Sequence, residues 1–382
     1  MHDNYATMKR VPSAFILTVS VRADSDFDLR GHRGGGLLRR AALAFVLILL
    51  ALSAVPGRGF DLQGHRGARG LAPENTLPGF ARALEIGVST LELDVGVTRD
   101  GIVVIHHGTR LNPDIARGPD GRWLRAPTPA IHALSFHDLQ RYDVGRMRPG
   151  SDYSRRFPVQ RRMDGVRIPA LNSLFELSRH AGHPGVRFNI ETKISPLAPG
   201  DTLPPEAFAR AVIGAVRAAG MQDRVTVQSF DWRTLATVQR EAPEIGTAHL
   251  SAQREWLDNI SVGQAAGSPW TAGVQHADHG SVPRMVKAAG GRVWSPYFGD
   301  LTRDRLAEAK SLGLKVVAWP VNDRAAMERL IDWNVDGIIT DYPNLLRDVL
   351  GERGIPLPAT ASRGLSSPEP AGRPPRRQGA TN

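Results

Sequence analysis

The stretch Thr90-Leu91-Glu92-Leu93-Asp94-Val95-Gly96-Val97-Thr98-Arg99-Asp100-Gly101-Ile102-Val103-Val104-Ile105-His106-His107 sets two short apolar runs on either side of a turn. Side chains alternate along a strand, so a strand predicted over 90–95 carries Glu92 and Asp94, two apart, on one face. Arg99-Asp100-Gly101 has the chemistry of a short hairpin loop, so the run 102–106 is predicted to fold back beside the first run as an excursion, not to begin a crossover.

Working outward, the same kind of run recurs at 61–64, 186–191, 225–228, 245–250, 292–295, 314–319 and 337–340, which with 90–95 makes eight predicted strands. Helical spacing falls between them at 77–86, 206–219, 232–241, 304–312 and 324–333. Strands alternating with helices imply parallel βα units, and eight of them imply a TIM-type (β/α)8 barrel of the α/β class. Such a barrel uses about 250 residues as one domain. It is placed at 58–350, with the hairpin and an Arg-, Pro- and Gly-rich insertion at 111–167 after strand two. In such a barrel the face bearing Glu92 and Asp94 is the crowded interior, opening at the C-terminal ends of the strands.

Composition narrows the function. With 41% hydrophobic and 23% charged residues, the 382-residue chain is ordinary for a globular protein. The net charge of +10 is split as +3 in residues 1–40, +3 in 351–382 and +4 between. No base-stacking aromatic stripe accompanies this modest central surplus, so it argues against a nucleic-acid partner and suits an anionic small-molecule substrate. No protein partner is implied. The absence of cysteine excludes disulfides, thiolate zinc sites and cysteine nucleophiles.

Arg39-Arg40 precedes fifteen apolar or small residues at 41–55 and then Pro56-Gly57, the order of a secretory signal. Residues 1–57 are expected to be a leader, a signal peptide or an N-terminal anchor. A secreted or periplasmic location follows, with membrane contact only through the leader if it is uncleaved. Residues 351–382 are expected to form a disordered tail, because the stretch from Ile355 is rich in Pro, Arg, Ser and Gly and has no hydrophobic period.

Polar residues ending the apolar runs are the ones to weigh. They include His65-Arg66-Gly67, Glu92 and Asp94, Glu191-Thr192-Lys193, Gln228-Ser229, Trp319, Asn322 and Asp341. Glu92 and Asp94 buried together repel unless a cation lies between them, and Glu191 adds a third carboxylate from the neighbouring strand. Oxygen donors without thiolates favour one hard divalent cation, Ca²⁺ or Mg²⁺, over zinc. The alternative for Glu92 or Glu191 is a structural ion pair with Arg66 or Lys193. His65 and His107 could face each other across the barrel mouth as an acid and base pair, with His106 pointing away.

The ordered set His65-Arg66-Gly67, Pro73-Glu74-Asn75-Thr76, Glu92-Leu93-Asp94-Val95, Thr98-Arg99-Asp100-Gly101, the Val-Ile-His-His run ending at His107, Ile168-Pro169, Asn189-Ile190-Glu191-Thr192-Lys193, Val227-Gln228-Ser229-Phe230 and the run from Asp336 to Pro343 resembles the glycerophosphodiester phosphodiesterase family. That resemblance spans nearly the whole expected barrel. It implies His65 and His107 as the acid/base pair, Glu92, Asp94 and Glu191 as metal ligands, and Glu74 as their support. Arg66 and Lys193 would bind phosphate, with Gln228 and Trp319 completing the substrate contacts.

The implied reaction is metal-dependent hydrolysis of glycerophosphodiesters to glycerol 3-phosphate and an alcohol, through a cyclic phosphate. Gly108 departs from the family, which generally has aspartate after the second histidine. Two other readings stay open: phospholipase D-like or phosphoinositide-cleaving activity on lipids, flagged by Trp256, Trp270, Tyr297 and Phe298 in late loops, and an inactive barrel that only binds.

Overall fold

The computed structural model describes residues 59–361. The strands are β1 (Asp61–Gly64), β2 (Thr90–Val97), β3 (Val103–Ile105), β4 (Arg187–Thr192), β5 (Val225–Ser229), β6 (Gly246–Ser251), β7 (Gln253–Arg254), β8 (Leu257–Asp258), β9 (Val293–Pro296), β10 (Lys315–Ala318) and β11 (Gly337–Thr340). Parallel pairing runs β1-β11-β10-β9-β6-β5-β4-β2, and β2 pairs with β1 again, so eight strands close into a barrel. β3 pairs antiparallel with β2 through Val95↔Ile105 and Val97↔Val103, which is the hairpin that the Arg-Asp-Gly turn implied.

Eight helices alternate with these strands: α1 (Leu77–Ile86), α2 (Leu171–His180), α3 (Pro205–Ala218), α4 (Trp232–Glu241), α5 (Val282–Ala288), α6 (Arg303–Ser311), α7 (Arg324–Asp332) and α8 (Pro343–Glu352). In α1 the Thr76 side chain caps the first turn by accepting from Gly79 N–H. The helix buries Phe80, Ala83 and Leu84, and Gly87 ends it at φ 88°, where a Cβ would be strained. The other helices press similar stripes onto the strands, giving one continuous apolar layer that includes Leu91, Leu93, Phe188, Trp232 and Leu346. Among the described residues no helix is long and apolar enough to cross a membrane.

The insertion is folded. Leu111, Ala116, Ile131, Leu139, Val144 and Ile168 make a second small core against Val104 of β3, so the hairpin carries the insertion on its back. A third cluster joins Ile115, Met147, Tyr153 and Phe157 to Tyr342, immediately beyond β11.

The tail departs from expectation. Residues 355–361 lie along the barrel: Ala361 N–H donates to Leu84 O at 3.0 Å, Arg347 donates to Pro358 O at 2.8 Å, and His183 Nε2 sits 2.8 Å from Ala359 O. A strap held through its backbone N–H and carbonyl groups needs no hydrophobic period, so composition gives no sign of the order at 355–361. The expected leader and the rest of the expected tail lie outside the described residues.

One buried group makes the fold sensitive to acid. His249 on β6 is 1% exposed, meets the Trp232 ring edge-on at 5.0 Å, and has no partner for Nδ1. Burial pushes its pKa down to about 3. The unfolded chain takes up this proton near pH 6.5 while the folded chain resists it, so stability is full above that pH and falls as pH drops toward 3. The expected cost is about 1.4 kcal/mol per pH unit within that window. We expect His249→Leu to flatten the slope of Tm between pH 6.5 and 4; an unchanged slope would place the acid sensitivity elsewhere.

Candidate active site

β1 hands the chain to His65-Arg66-Gly67, a tight turn in which Arg66 has φ 52° and Gly67 φ 88°. A Cβ on Gly67 would stand 2.7 Å from the Gly79 carbonyl carbon, so only glycine lets this turn pack against α1. The turn aims three groups inward. His65 Nδ1 lies 2.7 Å from Asp341 Oδ1, Arg66 N–H donates to Glu92 Oε2 at 2.8 Å, and the Arg66 guanidinium lies between Glu74 (3.0 Å) and Asp94 (3.2 Å).

With Nδ1–H donated to Asp341, the His65 Nε2 lone pair faces the carboxylates, 3.9 Å from Glu92 Oε2. Burial, reinforced by Arg69, pushes the His65 pKa down to about 4, although Asp341 pulls the other way. The imidazole is therefore neutral near pH 7 and able to accept a proton. Burial disfavours the Asp341 carboxylate, yet Arg69 and His65 hold it well below the usual range. Arg69 donates to both its oxygens, at 2.6 and 2.8 Å, and Asn322 adds a third bond at 2.6 Å.

β2 and β4 pair with Asp94 opposite Glu191. Ligand oxygens of Glu92, Asp94 and Glu191 consequently lie within 4.8 Å of one another, all buried. Asn75, at φ 55°, donates to Asp94 Oδ2 at 2.9 Å, while Asp94 Oδ1 has no hydrogen-bond partner. Burial and the two neighbouring acids push the Glu92 carboxyl well above its ordinary range. Glu191 is pushed up to about 7 by burial and Asp94, against the pull of Lys193.

Five buried carboxylates (Glu74, Glu92, Asp94, Glu191 and Asp341) thus face three cations (Arg66, Arg69 and Lys193), an excess of two negative charges if all ionise. One divalent ion would neutralise it, and an all-oxygen donor set suits a hard one. The residues present fit such a group.

The sequence-predicted residues converge here, with differences in detail. Half-buried His107 acts on Asp94 electrostatically, placing it beside the trio from the β3 side. Burial, with Arg66 and Lys193 nearby, drives its pKa well down. Lys193 Nζ donates to Glu191 Oε1 at 2.6 Å, so the ion pair weighed as an alternative exists alongside the carboxylate cluster. Gln228, expected on substrate, is 1% exposed; it donates to Glu92 Oε1 at 2.8 Å and accepts from Asn189 at 2.8 Å, holding a carboxylate in orientation.

Glu74, expected to support the metal ligands, holds Arg66 and accepts from Tyr153 of the insertion. His106 is buried too, with Nε2 unpartnered. Trp319 is half-buried, its Nε1 donating to Ser295 O at 2.9 Å, and its ring meets Phe230, Tyr297 and Trp256 edge-on at 5.2, 5.6 and 6.2 Å. Of the four late-loop aromatics only Trp256, on the β7–β8 hairpin, is largely exposed, at 60%; Trp270 is core.

Sequence reasoning gave no role to Arg69, Asn75 or Tyr153, and none to Asp341 and Asn322 beyond their strand-end positions. Arg69 is one helical turn past His65, and Asn75 sits inside the Pro-Glu-Asn-Thr motif, so both had a local signal. Tyr153 had none.

A closed barrel that gathers His65, Asp341 and an acidic trio where its strands end has the architecture of an enzyme. The sequence matches the Glycerophosphoryl diester phosphodiesterase family over residues 65–345. A glycerophosphodiester phosphodiesterase of Caldanaerobacter subterraneus is 27% identical over 285 residues, covering 74% of this chain and 94% of its own. A human lysophospholipase D is 25% identical, covering 72% and 82%. The crystal structure of a candidate glycerophosphoryl diester phosphodiesterase from Silicibacter pomeroyi superposes with TM-score 0.68 at 35% identity, covering 77% of this chain and 93% of its own. The chain belongs to the glycerophosphodiester phosphodiesterase family, and it is an enzyme of that class.

If Asp341 fixes the tautomer and aim of His65, Asp341→Asn should lower kcat by roughly 10²- to 10³-fold with an unchanged circular dichroism spectrum. Wild-type turnover in that variant would refute the orienting role.

Proposed function

We propose that this enzyme hydrolyses glycerophosphodiesters with a divalent cation, Ca²⁺ or Mg²⁺, held by Glu92, Asp94 and Glu191, and that His65 and His107 carry the protons. The observation that carries the reading is the His65 Nε2 lone pair, aimed by Asp341 at a carboxylate trio. The bound cation would offset charge on the phosphate oxygens and lower the pKa of a neighbouring hydroxyl.

The residues of the chain do the rest. Arg66 and Lys193 sit beside the trio as positive charges for the phosphate, and burial makes their field strong. The glycerol hydroxyl next to the ester is already tethered, so attack on phosphorus avoids the entropy cost of recruiting a nucleophile. One imidazole accepts the hydroxyl proton as the new P–O bond forms. The other protonates the departing alcohol oxygen as the old P–O bond breaks. Water then opens the cyclic phosphate with the two roles exchanged, giving glycerol 3-phosphate. The charge of a bound phosphate favours the protonated imidazole needed for the second role, working against the lowering by burial, Arg66 and Lys193.

A lysophospholipid substrate is the second reading, and the exposed Trp256, edge-on to Tyr297 at 5.5 Å and to Trp319, is what favours it. One assay separates these. With glycerophosphocholine we expect EDTA to abolish turnover and Ca²⁺ or Mg²⁺ to restore it, and His65→Ala or His107→Ala to lose roughly 10²- to 10⁴-fold in kcat. Indifference to chelator, or full turnover in either variant, would remove the proposal. Faster cleavage of lysophosphatidylcholine, lost in Trp256→Ala, would promote the second reading.

We further propose that residues 41–55 export the chain, from their charged-then-apolar order. N-terminal sequencing of protein recovered outside the cytoplasm should find a mature end beyond residue 50. Retention in the cytoplasm with residues 1–57 intact would contradict it.

A further inference from the structure

Residues 111–167 carry eleven arginines against six aspartates, a surplus larger than the +4 of the whole stretch from 41 to 350. It is densest in Arg155-Arg156-Phe157-Pro158-Val159-Gln160-Arg161-Arg162, where four arginines flank an apolar apex and no acid intervenes. All four arginines are exposed. Arg155 pairs with Asp152, whereas Arg156, Arg161 and Arg162 have no carboxylate partner among the described residues. At the apex Pro158 is exposed and Val159 is 66% exposed, more than any other valine among the exposed apolar residues.

This apex is held rigidly. Gln160 N–H closes a turn on Phe157 O at 3.1 Å, and Phe157 and Gln160 face inward. Both grip Arg69: the Phe157 ring lies 4.7 Å from the guanidinium carbon, and Gln160 Nε2 donates to Arg69 O at 2.6 Å. Arg161 N–H donates to Leu71 O at 2.9 Å on the other side. An aliphatic residue fixed in water beside three uncompensated guanidiniums gains nothing from the fold that presents it.

We propose that the turn 155–162 is an interfacial anchor that docks on an anionic phospholipid surface. The guanidiniums match lipid phosphates, and Pro158-Val159 enters the apolar layer just beneath them. Nucleic acid offers the phosphates without that layer, and an aliphatic tip has no face on which to stack a base. Docking would seat the membrane behind Arg69, the residue that holds Asp341 and through it His65. The inference goes beyond the hydrolytic reading and stands apart from it, because its readout is binding.

The chain contains no cysteine, so Val159→Cys in the full-length protein takes an environment-sensitive fluorophore at that position alone. Vesicles of equimolar phosphatidylglycerol and phosphatidylcholine should shift its emission to the blue, while phosphatidylcholine alone should not. Adding Arg156→Gln, Arg161→Gln and Arg162→Gln should raise the anionic lipid needed for the same shift roughly 100-fold, with hydrolysis of glycerophosphocholine unchanged. The same fluorophore on exposed Ala307→Cys of α6 should stay silent. The leader is common to all these proteins, and the probe reads the turn itself. No shift at Val159, an equal shift with phosphatidylcholine, an unchanged lipid requirement in the triple variant, or a shift produced by heparin in place of vesicles would each overturn the proposal.

Discussion

Like charges buried together set the terms for this molecule. Closing eight strands brings Glu92, Asp94 and Glu191 together largely out of solvent contact, and no arrangement of the barrel separates them once the register Asp94↔Glu191 is fixed. Their repulsion is countered from three directions: Arg66 from the β1 turn, Lys193 from the end of β4, and Gln228 and Asn75 as neutral donors. With Glu74, Asp341 and Arg69 counted as well, two negative charges are left over, and raised carboxyl pKa values at Glu92 and Glu191 are how the protein without a cation relieves them. A pocket that must hold either protons or a divalent ion is poised for phosphate chemistry, where negative charge arrives with the substrate.

The second constraint is histidine orientation. His65 would be an indifferent buried imidazole without Asp341, which selects the tautomer leaving Nε2 free. Asp341 is in turn tied by Arg69 and Asn322, so the base is aimed by residues from the segments that follow β1, β10 and β11. His107 lies near enough to Asp94 to act on it electrostatically, with Gly108, at φ 106°, following it where the family generally has aspartate. The two histidines therefore differ in kind: one is clamped by a carboxylate, while the other lies within the field of Arg66 and Lys193.

Much of this was legible. The β-branched runs located all eight barrel strands, because parallel strands buried on both faces announce themselves as apolar runs. Thr98-Arg99-Asp100-Gly101 located the hairpin, and two-residue spacing put Glu92 and Asp94 on the inner face. Helices α2, α5 and α8 were not foreseen, although α2 spaces Leu171, Leu174 and Phe175 along one face; α5 is short and opens with Val282-Pro283. The site partners least visible were those farthest apart, since Asp341 lies 276 residues from His65 and Tyr153 lies 79 from Glu74. Strand ends say which residues reach the mouth; they do not say which of them will pair there. Gln228 shows the difference, correctly placed at the mouth yet spent on Glu92.

The insertion is where local and global readings part most sharply. Its Arg-, Pro- and Gly-rich composition reads only as an insertion, yet it closes two small cores and sends Tyr153 to Glu74, the partner of Arg66. Removing it would take away a donor from a buried carboxylate and the ring stacked on Arg69, so the frame of the site runs through a segment that lies outside the barrel. A cap so coupled cannot move independently of the groups it touches: whatever displaces Phe157 displaces Arg69, and with it the charge that keeps Asp341 ionised against His65.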